Sequence, residues 1–259
     1  MEWIINFNHF NQREWEYSMS YILIIGAKSD IAKAIAKKYA KHGYNLYLAA
    51  RNSSEMKEFS DDITIRTQKK VRLVDLDILD YKSHETFYNN LDEKPEGVIS
   101  AIGYLGKQDK TNTDFHETQK IIDTNYTGIV SLFNIIANDF EQRRSGFLVG
   151  ISSVAGDRGR KTNYTYGSAK AALTSYLSGL RNRLHSSNVN VLTVKPGYVA
   201  TKMTEKMNFP KSLTAQTEDV AKDIYNAQQK GKNIIYTKWI WKWIMIIIKL
   251  IPEWKFKSM

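Results

Sequence analysis

Short apolar runs alternate with helix-like segments along almost the whole of this 259-residue chain, and no other feature restricts the possible folds as strongly. The runs are YILIIG, NLYLAA, VRLVD, GVISAIG, FLVGIS, VNVLTVKPG and NIIYT. Between them lie DIAKAIAKKYAKHG, a short polar helix, YKSHETFYNNL, a long helix from about 113 to 142, GSAKAALTSYLSGLRNRL and the segment around EDVAKDIYNAQQ. Runs that are apolar on both faces are strands buried on both sides, and parallel strands need a crossover element to join them. The expected fold is therefore α/β: a doubly wound, Rossmann-type sheet of seven parallel strands, in one domain over residues 19–236. Ligands of such sheets bind beyond the carboxyl ends of the strands, near the point where the strand order reverses.

Composition removes several classes of chemistry. The chain has no cysteine, which excludes disulfides, thiolate nucleophiles and thiolate metal sites, and fits a reducing compartment. Its five histidines have no ligand-like spacing, so no metal site is expected. Residues 1–18 have no uninterrupted apolar core and carry three glutamates, unlike a secretory signal. They are expected to be an N-terminal extension or a start-site artefact.

Of the net charge of +10, +6 falls in residues 230–259. The segment 237–259 is a basic, hydrophobic tail. Its apolar stretch Trp239–Ile251 is about thirteen residues long and is broken by Lys242 and Lys249, short of the roughly twenty residues that span a bilayer. On a helix, Lys238, Lys242 and Lys249 fall within about 40° of one another, leaving Trp, Ile, Met and Leu around the rest of the cylinder. The expectation is an amphipathic helix lying on a membrane surface through residues 238–259. The alternative is a tail packed on the protein or sealing an oligomer. Nucleic acid is not expected, because the cations are interleaved with bulky aliphatics.

Ser153 ends a buried run, Tyr166 follows thirteen residues later, and Lys170 lies one helical turn beyond it. Side chains at i and i+4 share a helix face, so Tyr166 and Lys170 point into the same cleft. An ammonium beside a phenol favours the phenolate and is expected to bring its titration down toward neutrality. Tyrosine is then the acid or base for carbonyl chemistry, lysine its tuner and serine the orienter. A second such pair, Tyr198 and Lys202, lacks the upstream serine and follows the interruption Pro196-Gly197.

The first strand ends in Gly26-Ala-Lys-Ser-Asp-Ile-Ala32 and passes straight into a helix, a turn suited to a nucleotide phosphate, although Asp30 and Ala32 occupy places where further glycines are expected. Arg51, with Asn52 after it and Lys28 expected to assist, follows the second strand where an adenosine ribose would sit, and an arginine there pairs with a 2′-phosphate. The cofactor expected is therefore NADP(H).

Gly26, Asp77, Asn125, Ser153, Tyr166, Lys170 and Pro196-Gly197 together resemble the short-chain dehydrogenase/reductase family across about residues 20–236. The GAKSDIA loop, LDLDILD, SAIGYLG, SSVAGDRGR and YGSAK also resemble one subgroup, the 2-keto reductases that act with a flavin oxidase in epimerising decaprenylphosphoryl ribose to arabinose. The resemblance implies that Gly26, Ser29, Asp30 and Ile31 contact the cofactor's phosphates and ribose, Asp77 and Ile78 its adenine, and Ala101 and Gly103 the nearby ribose. It further implies that Asn125 holds a water linking Lys170 to solvent, that Lys170 binds the nicotinamide ribose, and that Val199 and Thr201, after Pro196-Gly197, hold the carboxamide. The implied activity is NADPH-dependent reduction of a 2-keto sugar on a polyprenyl-phosphate or other envelope-polysaccharide precursor. The implied setting is cytoplasmic, peripheral on the inner face of the membrane, with a homodimer or homotetramer and a flavin oxidase in the same pathway. Rival readings are a reductase of soluble carbonyls, a non-catalytic dinucleotide-binding scaffold and a nucleotide-sugar epimerase or dehydratase, the last of which calls for a tighter three-glycine loop.

Overall fold

Every residue of strand β1 (Tyr21–Ile25) is buried, because the strand has a layer of helices on each side. Side chains alternate across a strand. Ile22 and Ile24 accordingly join one core, and Tyr21, Leu23 and Ile25 join the other. The computed structural model describes residues 20–205 and 207–259, so the segment 1–18 lies outside the described residues.

In chain order the elements after β1 are α1 (Asp30–Lys41), β2 (Asn45–Ala50), α2 (Lys57–Thr67), β3 (Val71–Asp75), α3 (His84–Asn89), β4 (Gly97–Ser100), α4 (Gln108–Thr111), α5 (Phe115–Ile122) and α6 (Gly128–Arg143). Then come β5 (Phe147–Ile151), α7 (Tyr164–Leu184), β6 (Asn190–Pro196), β7 (Tyr198–Val199), β8 (Thr214–Ala215), α8 (Thr217–Gln229), β9 (Ile234–Thr237), α9 (Ile240–Leu250) and α10 (Glu253–Phe256). Seven strands form one parallel sheet in the order β3-β2-β1-β4-β5-β6-β9, and β7 pairs with β8 in a separate two-stranded ribbon. The expected doubly wound fold is thus met, and the order reverses between β1 and β4.

The core between the sheet and α1, α2 and α8 holds Ile35, Tyr39, Ile63, Val220 and Ile224. The core on the opposite face, under α3, α6 and α7, holds Tyr88, Leu132, Phe133, Leu173 and Leu177.

One expectation is corrected: the long helix expected over about 113–142 is broken by a π-helical turn at Asp123–Thr127 between α5 and α6. The tail helix packs one face on the domain, as its packing alternative has it, and leaves the other face open. Trp241 and Met245 of α9 are 2 % and 0 % exposed, in a cluster with Val154, Tyr198, Leu213 and Tyr236. The Trp241 indole donates to the Leu213 carbonyl at 3.0 Å. The opposite face carries Trp239, Trp243, Ile247 and Leu250, all exposed. Lys242 and Lys249 lie between the two faces, also exposed.

Candidate active site

The residue after a strand sets what stands at the cleft, and β1 is followed by Gly26 with φ +78°, a left-handed conformation that a side chain resists. A Cβ there would also meet Ile102 Cγ1 at 2.9 Å and the Ala101 carbonyl at 3.1 Å. The bare backbone turns instead into α1, which Ser29 caps by accepting the Ala32 amide at 3.2 Å. The departures from a glycine-rich loop have physical reasons. Ala32 is fully buried in the core, and Asp30 Oδ2 accepts the backbone amide of Lys202 at 2.8 Å.

Beyond the strand ends runs a continuous cleft in two lobes, of about 1290 and 760 Å³, which share Lys28, Ala101, Ile102 and Gly103 in their walls. The larger lobe is lined by Arg51, Asn52, Asp77 and Ile78 among others. Arg51 is exposed and, among the described residues, has no carboxylate partner. Asn52 supports the turn in a left-handed conformation, φ 50°. Lys28, expected to assist Arg51, instead pairs with Glu55 at 2.8 Å, and that ammonium holds the Glu55 carboxyl below its ordinary value. Asp77 Oδ1 accepts the Leu79 amide at 3.0 Å, which fixes the turn carrying Ile78. Gly128 is needed beside it, since a Cβ would lie 2.4 Å from the Ile78 carbonyl oxygen.

The smaller lobe is lined by Ser29, Asp30 and Ile31 at one side and by Ser153, Tyr166, Lys170, Pro196, Gly197, Val199 and Thr201 at the other. Ser153 follows β5 in extended conformation, its Oγ accepting the Ala155 amide at 3.1 Å and lying near enough to the Tyr166 phenol to lower its titration. Tyr166 and Lys170 lie one turn apart near the start of α7, with Lys170 Nζ 5.7 Å from the phenol ring's centroid. Thr201 Oγ1 is 3.2 Å from Thr204 Oγ1, within the loop that Asp30 holds.

Electrostatics overturn one expectation. Burial dominates both titrating groups, since removing a charge from water costs more than these neighbours return. It pushes the Tyr166 phenol up to about 12, against the Ser153 hydrogen bond, which lowers it. Burial likewise lowers the Lys170 ammonium to about 7, so lysine does not draw the phenol down as expected. Lys170 is 1 % exposed and donates to the Ile151 carbonyl at 3.0 Å and the Ile102 carbonyl at 3.2 Å. At neutral pH the phenol keeps its proton, the form that an acid for a carbonyl oxygen requires, while the lysine is poised between charged and neutral.

Asn125, expected to hold a water, is fully buried and engaged with the backbone. Its Oδ1 accepts the Tyr104 amide at 3.2 Å, and Nδ2 donates to Tyr104 O at 2.7 Å and Ile121 O at 2.8 Å. The π turn frees the Ile121 carbonyl for that bond, a device frequent near functional sites. Oδ1 and Lys170 Nζ lie 3.7 and 3.9 Å from the position a Cβ would take on Gly103, so the two side chains face the same small gap. Tyr198 and Lys202 are no second pair: Tyr198 is in β7, its ring stacked 3.7 Å from Phe209. Among the described residues no acidic or histidine cluster could hold a metal.

Residues 20–211 match the short chain dehydrogenase family. The chain belongs to that family. It is 32 % identical over 241 residues to an oxidoreductase of Mycobacterium tuberculosis strain H37Rv, which covers 92 % of this chain and 96 % of the relative. Among solved structures, a short-chain dehydrogenase from Sphingobium yanoikuyae in complex with NADPH aligns with TM-score 0.78 at 20 % identity, covering 85 % of this chain and 88 % of that one. A bulky-bulky ketone specific alcohol dehydrogenase from Comamonas testosteroni aligns with TM-score 0.76 at 19 % identity, covering 91 % and 96 %.

Several residues of the cleft escape sequence reasoning. Arg160, Tyr198, Met203, Met207 and Phe209 line the smaller lobe beside Tyr166. Their only sequence signal was position, after Ser153 or after Pro196-Gly197, and neither loop has a periodicity that reveals which way a side chain turns.

Proposed function

We propose that this short-chain dehydrogenase is an NADPH-dependent carbonyl reductase acting on a keto-sugar carried by a polyprenyl phosphate at a membrane surface. The observation that carries the reductase reading is that Ser153, a protonated Tyr166 phenol and the Lys170 amine line one lobe of a cleft large enough for a dinucleotide and a substrate. The NADPH named with the Sphingobium relative supports the choice of cofactor, and the ketone named with the Comamonas relative supports the reaction.

The cleft fits a dinucleotide, because Gly26 clears its floor and the capped start of α1 presents free amides and a positive dipole toward it. Gly26, Ser29, Asp30 and Ile31 would hold its phosphates, Arg51 a 2′-phosphate, Asp77 and Ile78 the adenine, and Ala101 and Gly103 a ribose. Pro196, Gly197, Val199 and Thr201 would face its reactive end. When bound, the dinucleotide supplies the hydride. Tyr166 gives its proton to the ketone oxygen, and Ser153 donates a hydrogen bond to the same oxygen and fixes its position. Lys170, near 7, keeps an exchangeable proton next to the phenol. Asn125 holds the Tyr104 backbone, and through it the wall beside Lys170.

The lipid part of the reading rests on α9. Its outward apolar face is flanked by exposed Lys242 and Lys249 and followed by Lys255 and Lys257, an arrangement suited to anionic lipid. Among the described residues no helix is long and apolar enough to cross a membrane. A second reading, reduction of soluble ketones with this face covered by another copy, uses the same exposed residues.

Tyr166→Phe tests the chemistry. Turnover of NADPH with a ketone should fall by at least about 10²-fold, the usual contribution of a positioned acid, with NADPH affinity kept. Retention of most activity by the variant overturns the reading.

A further inference from the structure

The loop between Ser153 and Tyr166 is tied down from two directions by groups that the proposed reaction leaves unused. Asp157 is buried in an ion pair, its Oδ1 2.5 Å from Lys195 Nζ on β6, while its Oδ2 accepts the Tyr236 hydroxyl of β9 at 2.8 Å. Arg158 reaches the opposite way. Its Nη1 donates to Ile248 O at 2.5 Å and to Ile251 O at 2.6 Å, its Nη2 pairs with Glu253 at 2.8 Å, and its guanidinium lies 3.7 Å from the centroid of the Phe256 ring.

The last carbonyls of a helix have no partner within it and carry the negative end of its dipole. A guanidinium offers several donors in a rigid planar fork, so one arginine can satisfy two such carbonyls together. Arg158 therefore caps α9 from a position 90 residues earlier in the chain. The same helix touches this loop twice more. Val154, next to Ser153, packs with Trp241 and Met245, and Arg160 Nη2 is 3.5 Å from Met245 Sδ.

We propose that Arg158 is a positioning residue for proton delivery: its clamp on the end of α9 holds the loop so that the Ser153 hydroxyl stays aligned with the Tyr166 phenol. Ser153 is followed by a single turn of 3₁₀ helix, Val154–Gly156, which leaves little local structure to fix it. Misplacement by about 1 Å at a reacting group can cost on the order of 10²-fold in rate. The Arg158 side chain is 13 % exposed and Glu253 is 79 % exposed, so the shielded carbonyl bonds hold the clamp and the open ion pair adds little.

For its kinetic consequence the inference rests on the reductase reading; the alignment itself can be read without turnover. Arg158→Ala and Arg158→Lys in the full-length protein would be compared with wild type by steady-state kinetics and by the NMR resonance of the Tyr166 ring carbon that bears the hydroxyl, labelled with ¹³C and assigned with Tyr166→Phe. Arg158→Ala should shift that resonance and lower kcat by about tenfold to a hundredfold while the KM for NADPH stays within about twofold. Arg158→Lys, whose ammonium can reach the carbonyls but cannot also pair with Glu253 and stack on Phe256 as the planar guanidinium does, should recover part of both changes. An unshifted resonance in Arg158→Ala overturns the proposal whether or not the protein reduces ketones. A shifted resonance with wild-type kcat overturns it too, because the clamp would then serve stability alone. If wild-type protein reduces no ketone, the reductase reading falls and the resonance decides this inference by itself.

Discussion

Lys170 is where one residue's chemistry and its cost to the fold meet. Shut off from water, it is lowered from 10.5 to about 7, and each unit corresponds to roughly 1.4 kcal/mol of disfavoured charge. Below about pH 7 both folded and unfolded chains carry the proton and the penalty is constant. Between about 7 and 10.5 the unfolded chain binds more protons than the folded one, so the wild type gains stability as pH rises. Lys170→Met removes this dependence, while leaving the Ile102 and Ile151 carbonyls short of a donor at about 1–3 kcal/mol each. Urea unfolding at several pH values should show wild type improving relative to Lys170→Met from neutral pH to about 10, and parallel curves would refute the burial argument. That Tyr166 and Lys170 share a cleft was legible from their spacing. The direction of the phenol's shift was not, because spacing says nothing about how much water the site keeps.

Elements were legible where periodicity was strong and obscured where one contact overrides it. All seven strands of the main sheet announced themselves as apolar runs, and α1 announced itself through the helical pattern of DIAKAIAKKYAKHG. The π turn at Asp123–Thr127 did not, since Asn125 at its centre is held by side-chain bonds to the Tyr104 backbone, 21 residues away, as well as to the Ile121 carbonyl. Nor did the seat of α9. A helix apolar nearly all round gives no sign of which side it buries, and the answer lies in Gly197. A Cβ on Gly197 would come within 2.0 Å of two Trp241 ring atoms, so the glycine makes room for the indole. Gly197→Ala should therefore overpack the joint between β6 and α9 and cost about 1–3 kcal/mol in urea unfolding. A smaller residue at 241 should recover part of the loss, because contacting sites do not add. Strictly additive losses would place the strain elsewhere.

For the molecule as a whole, the sheet order leads the ends of β1, β4, β5 and β6 to one cleft, and the tail meets the same cleft from outside. The seven-stranded parallel sheet and a site at its strand ends followed from alternation, whereas the strand order and the double-sided character of α9 needed coordinates. Its buried face makes truncation a poor test of membrane docking, since removing Trp241 and Met245 would open the core. Glutamates at Trp243 and Ile247 leave that core intact. Each lost apolar contact is worth about 1.5–3 kcal/mol when fully buried in lipid, so the double variant should lose at least about 10²-fold in binding to vesicles containing phosphatidylglycerol. Wild-type protein that ignores such vesicles but dissociates from a dimer when the same residues are changed would transfer the face to a second copy.

The hydrogen bond from the Lys202 amide to the Asp30 carboxylate joins the turn at the start of α1 to the segment after Thr201, across the smaller lobe that both of them line. A side chain standing where a glycine was expected therefore straps together the two sides of that lobe, and replacing Asp30 by glycine would untie the Lys202 segment from α1.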